Sequence, residues 1–259
     1  MLATQRRHAI EEQLRAHGSV LVNDIADKLG VTPETVRRDL DLLERTGKAQ
    51  RVHGGAVAPG AHSLAEPSTS ERLTRHADAK ARIGTLAATR LLASPTQSMF
   101  IDAGTTTAAL ARQLVTTMRP EQRLVATTHT PEIAQILAQQ PSLDVHMTGG
   151  RIRGITGAAV GAQTVLAIAR MRPDLVLVAT NGITAHGLTT PDLEEAAVKE
   201  AIVASGRRVA VLADSSKFGV ETLCTFATLD EIDVLITDAE PPKSIADALR
   251  AAGCEVFVA

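Results

Sequence analysis

The sequence predicts an α/β protein: an N-terminal winged helix-turn-helix followed by a doubly wound, mostly parallel α/β domain. Three observations carry that expectation. Residues 1–57 are dense in charge and place apolar residues at helical spacing. From about Ser98 onward, short continuous apolar runs alternate with helical patterns, the order that builds a parallel sheet covered on both faces. Between them, VAPGAHSLAEPSTS is rich in Pro, Ser, Ala and Gly and has no period, which marks a linker. The expected divisions are 1–57, a linker at 58–75, and 76–259.

Composition narrows the function classes. The chain has 259 residues, 44% hydrophobic and 22% charged, so wholesale disorder is excluded. It has no Trp, no Tyr and four Phe. The core must be built from Ala, Val, Leu and Ile, and the composition argues against recognition of nucleic acid by stacking bases on aromatic platforms. A net charge of −2 excludes a chain-wide polyanion binder and leaves a local basic face. MLATQRRHAI has no apolar stretch of a secretory signal, and no run approaches the ~18 residues of a membrane helix. A cytoplasmic protein with no membrane partner is expected. Cys224 and Cys254 lack the spacing of a zinc site or redox pair and are expected to be reduced, buried thiols. No metal and no cofactor is expected.

Each N-terminal element has a local reason. A first helix spans about Thr4 to Ala16, with Ile10 and Leu14 one turn apart and Gly18 stopping it. A second begins near Asn23, a good N-cap, and ends at Gly30. Thr32 caps the third and Pro33 takes its preferred first position. Two short helices joined by Gly30-Val31-Thr32 form a helix-turn-helix pattern. In the third helix Val36, Leu40 and Leu43 share one face, while Arg38 points nearly opposite, flanked by Thr35 and Arg37 and extended by Arg45. An apolar anchor behind and an arginine fork in front is what groove reading needs, since arginine bonds guanine O6 and N7 bidentately or clamps phosphates. KAQRVHGGAV alternates around Gly54-Gly55, a hairpin wing that would bring Arg51 and His53 to the DNA backbone. The domain carries nine Lys/Arg against eight Asp/Glu, so any DNA contact must use a local patch.

The second region reads as strands at 98–102, 124–128, 143–148, 174–180, 207–214, 233–238 and the final CEVFVA, with helices between. Ligands of such sheets sit at the carboxyl ends of strands. Three polar clusters fall there. Asp102 runs into Ala103-Gly104-Thr105-Thr106-Thr107 and a helix start, where glycine allows close approach and helix amides favour an anion. The Gly-Lys-Ser/Thr ending of a Walker loop is absent. Asn181 and Gly182 follow another strand, and Glu195 and Lys199 share one helix face beyond them. Asp214-Ser215-Ser216-Lys217 follow a third, a lysine with hydroxyls that suits a phosphate or carboxylate.

These segments resemble a known family. VTPETVRRDLDLLERTGKAQRVHGGAV is similar to the helix-turn-helix signature of DeoR-family bacterial transcriptional regulators. IDAGTTT, the Gly149-Gly150 pair, NGI, GLTTPDLEEAAVK, DSSKFG and FATLDEIDVLITD follow that family's C-terminal sensor domain in order. The resemblance covers nearly the whole chain. It implies a winged-helix repressor of a carbohydrate operon, bound to a double-stranded DNA operator as a homodimer or homotetramer. Thr32, Thr35, Arg37, Arg38, Arg45, Arg51 and His53 are its DNA-binding candidates. It also implies a sensor similar to ribose-5-phosphate isomerase and CoA-transferases, with a phosphorylated sugar or sugar derivative as effector. Candidate effector residues are Asp102, Gly104, Thr105, Thr106, Thr107, Thr128, Gly150, Asn181, Gly182, Glu195, Lys199, Asp214 and Lys217. One position departs from the pattern: Thr127-Thr128-His129-Thr130 stands where Asn is expected after the second strand, and His129 either donates to a phosphate or faces solvent.

Two other classes compete. Asp102, Glu195, Lys199 and Lys217 could serve a sugar-phosphate isomerase, which needs a carboxylate base and a polarising cation. The isomerase's glycine-rich run is replaced here by Asn181-Gly182-Ile183-Thr184-Ala185-His186-Gly187. A winged helix used only for protein contacts is the third.

Overall fold

The computed structural model describes residues 3–17, 19–52, 55–57, 66, 68–92, 96–119 and 121–259. The first unit contains α1 (Ala3–His17), β1 (Ser19–Leu21), α2 (Val22–Leu29), α3 (Pro33–Arg45), β2 (Gln50–Val52) and β3 (Gly55–Val57). The three strands form an antiparallel sheet in the order β1-β3-β2. Ile10, Leu14, Ile25, Val36, Leu40 and Leu43 make its core, as the helical spacing requires. Gly30 closes α2 at φ +63°.

The expected cap at Asn23 is not the cap. The helix begins at Val22, and Leu21 stands at the N-cap without a side-chain bond. Ser19–Leu21 pair with β3, so the strand itself carries the chain into the helix. Gly55 is required there because a side chain would collide with the Val20 carbonyl across that pairing.

Two helices follow that the linker composition did not suggest: α4 (Thr69–Thr74) and α5 (Ala77–Leu92). Ser68 and Glu71 cap α4 reciprocally. The larger unit continues with β4 (Ser98–Ile101), α6 (Thr105–Thr117), β5 (Leu124–Thr128), α7 (Pro131–Leu137), β6 (Leu143–Met147), β7 (Arg151–Arg153), β8 (Ala158–Val160) and α8 (Ala162–Ala169). Then come β9 (Leu175–Ala179), β10 (Gly182–Thr184), β11 (Gly187–Thr190), α9 (Leu193–Ser205), β12 (Val209–Leu212), β13 (Cys224–Ala227), β14 (Val234–Thr237), α10 (Lys243–Ala251) and β15 (Glu255–Val258).

Seven strands form one parallel sheet in the order β15-β14-β12-β9-β4-β5-β6. Side chains alternate between its faces. Val176, Val178, Val209 and Val211 pack with Val198 and Ile202 of α9. Leu175, Leu177, Ala210 and Leu212 pack with Ile83 of α5 and Leu110 and Leu114 of α6. That two-sided burial is why the strands read as continuous apolar runs. The strand order reverses between β4 and β9, so a crevice opens at their carboxyl ends. The glycine-punctuated stretch after β6 is an antiparallel ribbon, β7-β8, and β10-β11-β13 form a small antiparallel sheet.

Candidate functional site

On α3, Thr32 Oγ1 accepts from the Thr35 amide at 3.3 Å and Pro33 opens the helix. The side chains of Arg37 and Arg38 are 52% and 79% exposed, and among the described residues each meets Glu34 at 3.5 Å. Surface pairs of that kind contribute about 0–1 kcal/mol, so both guanidiniums are available to a partner. Arg45 is exposed and Thr35 half-buried. Arg51 faces inward more than the wing pattern suggested: its Nη1 lies 3.2 Å from Asp41 and donates to the Arg37 carbonyl. It ties β2 to α3. His53 lies outside the described residues. Sequence reasoning missed Asp39, which reads as an ordinary polar position. It is buried and accepts from Arg6 Nε at 2.5 Å, locking α1 to α3.

At the switch point, Asp102 is wholly buried directly after β4. One oxygen accepts from Lys199 Nζ at 2.5 Å and from the Ala179 amide at 3.0 Å. The other lies 3.1 Å from His129 Nε2. Burial pushes the Asp102 carboxyl up, but Lys199 and His129 outweigh it and hold it below the ordinary carboxylate range. Both oxygens are therefore committed, and Asp102 orients Lys199 rather than facing a ligand hydroxyl. Lys199 pairs with Asp102, not with Glu195, and also donates to the Ala179 carbonyl at 2.8 Å. His129 neither faces solvent nor stands apart for a phosphate. It is buried, with Nδ1 2.8 Å from the Ala159 carbonyl, and so joins the ends of β4 and β5 to β8.

Glu195 is buried one helical turn before Lys199; it accepts from Thr156 at 2.5 Å and from Arg153 at 3.3 Å. Arg153 also meets Asp192 at 3.1 Å and Glu66 at 2.6 Å. Neither Arg153 nor Glu66 was singled out by motif reading.

A second cluster sits after β12. Asp214 is buried and accepts from Ser216, while its Oδ2 has no hydrogen-bond partner. Burial raises its pKa, but Lys217, Ser216 and Lys80 lower it further, leaving it below the ordinary range. Lys80, from the unforeseen α5, is buried and donates to the carbonyls of Arg72 and, at 2.7 Å, Arg75. Burial, opposed by Asp214 and reinforced by Lys217, Arg72 and Arg75, brings its pKa down to about 8. Burial and the same two arginines lower Lys217, against Asp214. An open groove of about 190 Å³ that shares Lys80 with this cluster is lined by Leu73, Ala77, Lys80, Thr105, Ala109 and Arg112.

Thr105 of the glycine-threonine loop lines that groove. Gly104 holds φ +150°, and a side chain there would come within 2.8 Å of Ala179 Cβ, so only glycine lets β4 turn into α6. The amides of Thr105–Thr107 open α6 and have no acceptor within the helix. The Thr107 hydroxyl bonds the Gly104 carbonyl. Thr128 is buried and accepts from the Thr130 amide. Gly150 packs on Thr164 with no room for a side chain, and Gly182 does the same against Val220. Asn181 Oδ1 accepts from Thr190. Cys254 is buried and Cys224 half-buried, both free. Among the described residues there is no group of His, Cys, Asp or Glu that could hold a metal ion. No helix among them is long and apolar enough to cross a membrane.

A helix-turn-helix with outward arginines, followed by a sheet whose carboxyl edge gathers cations and helix amides, defines a ligand-responsive DNA-binding regulator. The sequence comparisons give the family. Residues 6–61 match the DeoR-like helix-turn-helix domain and residues 75–239 the DeoR C terminal sensor domain. The chain belongs to the DeoR family of transcriptional regulators. It is 33% identical over 257 residues to the HTH-type transcriptional regulator GlpR of Haloferax volcanii, covering 99% of this chain and 98% of that one. It is 30% identical over 250 residues to the glycerol-3-phosphate regulon repressor of Escherichia coli, covering 96% of each. Among solved structures, ribose 5 phosphate isomerase A from Neisseria gonorrhoeae is similar over 56% of each chain, at 11% identity and a TM-score of 0.37. The protein is a DNA-binding transcriptional regulator and not an isomerase.

Proposed function

We propose that this regulator represses a carbohydrate-metabolism operon and is controlled by a phosphorylated sugar or sugar derivative bound in the crevice. The observation that supports this reading is Lys80, which lines one groove with Thr105 at the start of α6 and lies within electrostatic reach of Lys217 and Asp214. Two cations and a helix N-terminus are groups that suit a phosphate. Lys199, Glu195 and Asn181 face the sugar's hydroxyls, with Asp102 behind Lys199. The E. coli relative's name, a glycerol-3-phosphate regulon repressor, supports a phosphorylated small molecule.

In this reading residues 1–57 read DNA, 76–259 bind effector, and 58–75 join them in a cytoplasmic homo-oligomer. A dimer places two α3 helices in successive major grooves. Thr35, Arg37, Arg38 and Arg45 contact bases or phosphates, with Thr32 fixing the helix start and Arg51 bracing the wing. The effector needs a coupling free energy of roughly 1–3 kcal/mol to change DNA affinity usefully. The test is fluorescence anisotropy on DNA from upstream of the protein's own gene, at one stated salt concentration, with a panel of sugar phosphates. One sugar phosphate should change the affinity, and Lys217→Ala should abolish that change. A Lys217→Ala protein that responds like wild type would refute the site.

A further inference from the structure

The segment that enters the sensor unit is anchored by buried charge. Glu66 follows the end of β3 by nine residues, and its side chain is 2% exposed. Oε2 accepts from Arg153 Nη1 at 2.6 Å. The same guanidinium meets Glu195 and Asp192, so three carboxylates share one arginine. Glu66 is the one supplied from outside the α/β sheet and its helices.

That contact is incomplete. Among the described residues, Glu66 Oε1 is buried without a hydrogen-bond partner, and so is Arg72 Nε. Arg72 Nη1 stands 3.8 Å from Oε1, beyond bonding range. A buried carboxylate oxygen without a donor is costly, and Glu195 nearby adds like-charge repulsion. The other anchors are polar too. The Thr69 amide and hydroxyl both donate to the Ile155 carbonyl, at 3.2 and 3.0 Å. Lys80 holds the end of α4 through the Arg72 and Arg75 carbonyls. His76, between α4 and α5, holds φ +53°, a left-handed conformation that disfavours non-glycine residues. Residues 66 and 68–75 thus join Arg153 to Lys80 through contacts for which an anion competes.

Building on the anion-binding reading of the crevice, we propose that Arg153 binds an oxyanion of the effector. Glu66 occupies it in the ligand-free protein as an internal stand-in, and effector entry exchanges the two and frees Glu66 and α4. Arg153 keeps Asp192 and Glu195 through the exchange, so the guanidinium is never left unpaired. Glu66 gains water for its unpartnered oxygen. Glu66 lies nine residues after the wing strand β3 and is the first described residue that ties the chain to the sensor unit.

The test uses the full chain, inorganic phosphate as probe, and sodium chloride at matched ionic strength as control. Calorimetry gives phosphate affinity for wild type, Glu66→Gln and Arg153→Gln; hydrogen exchange follows the Thr69 amide. Removing the competing carboxylate should tighten phosphate binding about ten-fold, and Arg153→Gln should weaken it by at least as much. Phosphate should speed Thr69 exchange in wild type, while Glu66→Gln exchanges fast without it. Equal affinity in wild type and Glu66→Gln overturns the exchange and leaves the crevice reading standing. Absence of phosphate binding in all three proteins overturns both. Should Glu66→Gln fail to fold, the wild-type measurement decides alone: Thr69 exchange unchanged or slowed at saturating phosphate overturns the proposal.

Discussion

Replacing Lys199 by Met should cost the sensor unit much of its stability. Asp102 is wholly buried and Lys199 nearly so, and their charges meet at 2.5 Å. Removing the cation leaves the carboxylate with His129 and one amide. Breaking a buried pair from one side costs about 3–5 kcal/mol, against a total of about 5–15 kcal/mol for a domain. With a urea slope of about 2 kcal/mol/M, the midpoint should fall by roughly 1.5–2.5 M. The chain has neither Trp nor Tyr, so far-UV circular dichroism is the probe. Leu40→Ala, in the separate core of the first unit, identifies which transition belongs to which unit. The double variant Asp102→Asn/Lys199→Met should recover at least half the loss, because no lone buried charge remains and Asn can still accept from the Ala179 amide. Acid gives an independent check. Lys199 and His129 hold Asp102 below the ordinary range, so its contribution is full above the unfolded carboxyl's pKa of about 4 and is lost as pH falls through the folded value. A Lys199→Met midpoint shift under about 0.5 M, roughly 1 kcal/mol, would refute the premise that this pair holds the switch point together.

Two further outcomes follow from the same geometry. Arg37→Ala and Arg38→Ala should each weaken operator binding, and each lost phosphate contact should reduce the salt slope of log K by about 1. Thermal unfolding should stay within about 0.5 kcal/mol of wild type, since among the described residues Glu34 is the only carboxylate either arginine reaches. Sulfate, whose charge does not change in the range, should bind more weakly as pH rises from 7 to 9. Lys80 is charged below its pKa of about 8 and neutral above it. Its depressed pKa also penalises the fold at low pH, so stability should rise with pH between about 8 and the unfolded lysine's value of about 10.4. Sulfate affinity that is flat across that interval in calorimetry would remove Lys80 from the anion site.

What was legible in the sequence was set by neighbours along the chain. Val36, Leu40 and Leu43 bury because their spacing puts them on one helix face, and Thr32 caps because its oxygen reaches an amide three residues on. The strands were legible as apolar runs because helices cover both faces of the sheet. What was not legible was set by distant partners. Asp39 reads as a solvated position until Arg6, 33 residues earlier, arrives beside it. His129 takes its partners from the ends of β4 and β8, which no local pattern joins. Glu195 and Lys199 have the spacing of a surface ion pair, yet each is buried against a different partner.

The same limit explains the linker. Composition rules measure how much apolar surface a segment can bury, and a stretch of Pro, Ser and Ala scores low. Residues 66 and 68–75 dock by another means: a carboxylate on an arginine, a threonine on a carbonyl, and two carbonyls on a lysine. An apolar dock would be indifferent to a phosphate. A dock made of ion pairs presents cations for which an anion would compete, which is the exchange proposed at Arg153. The feature that made this segment read as a passive connector, its few large apolar residues, leaves it held by polar and ionic anchors instead.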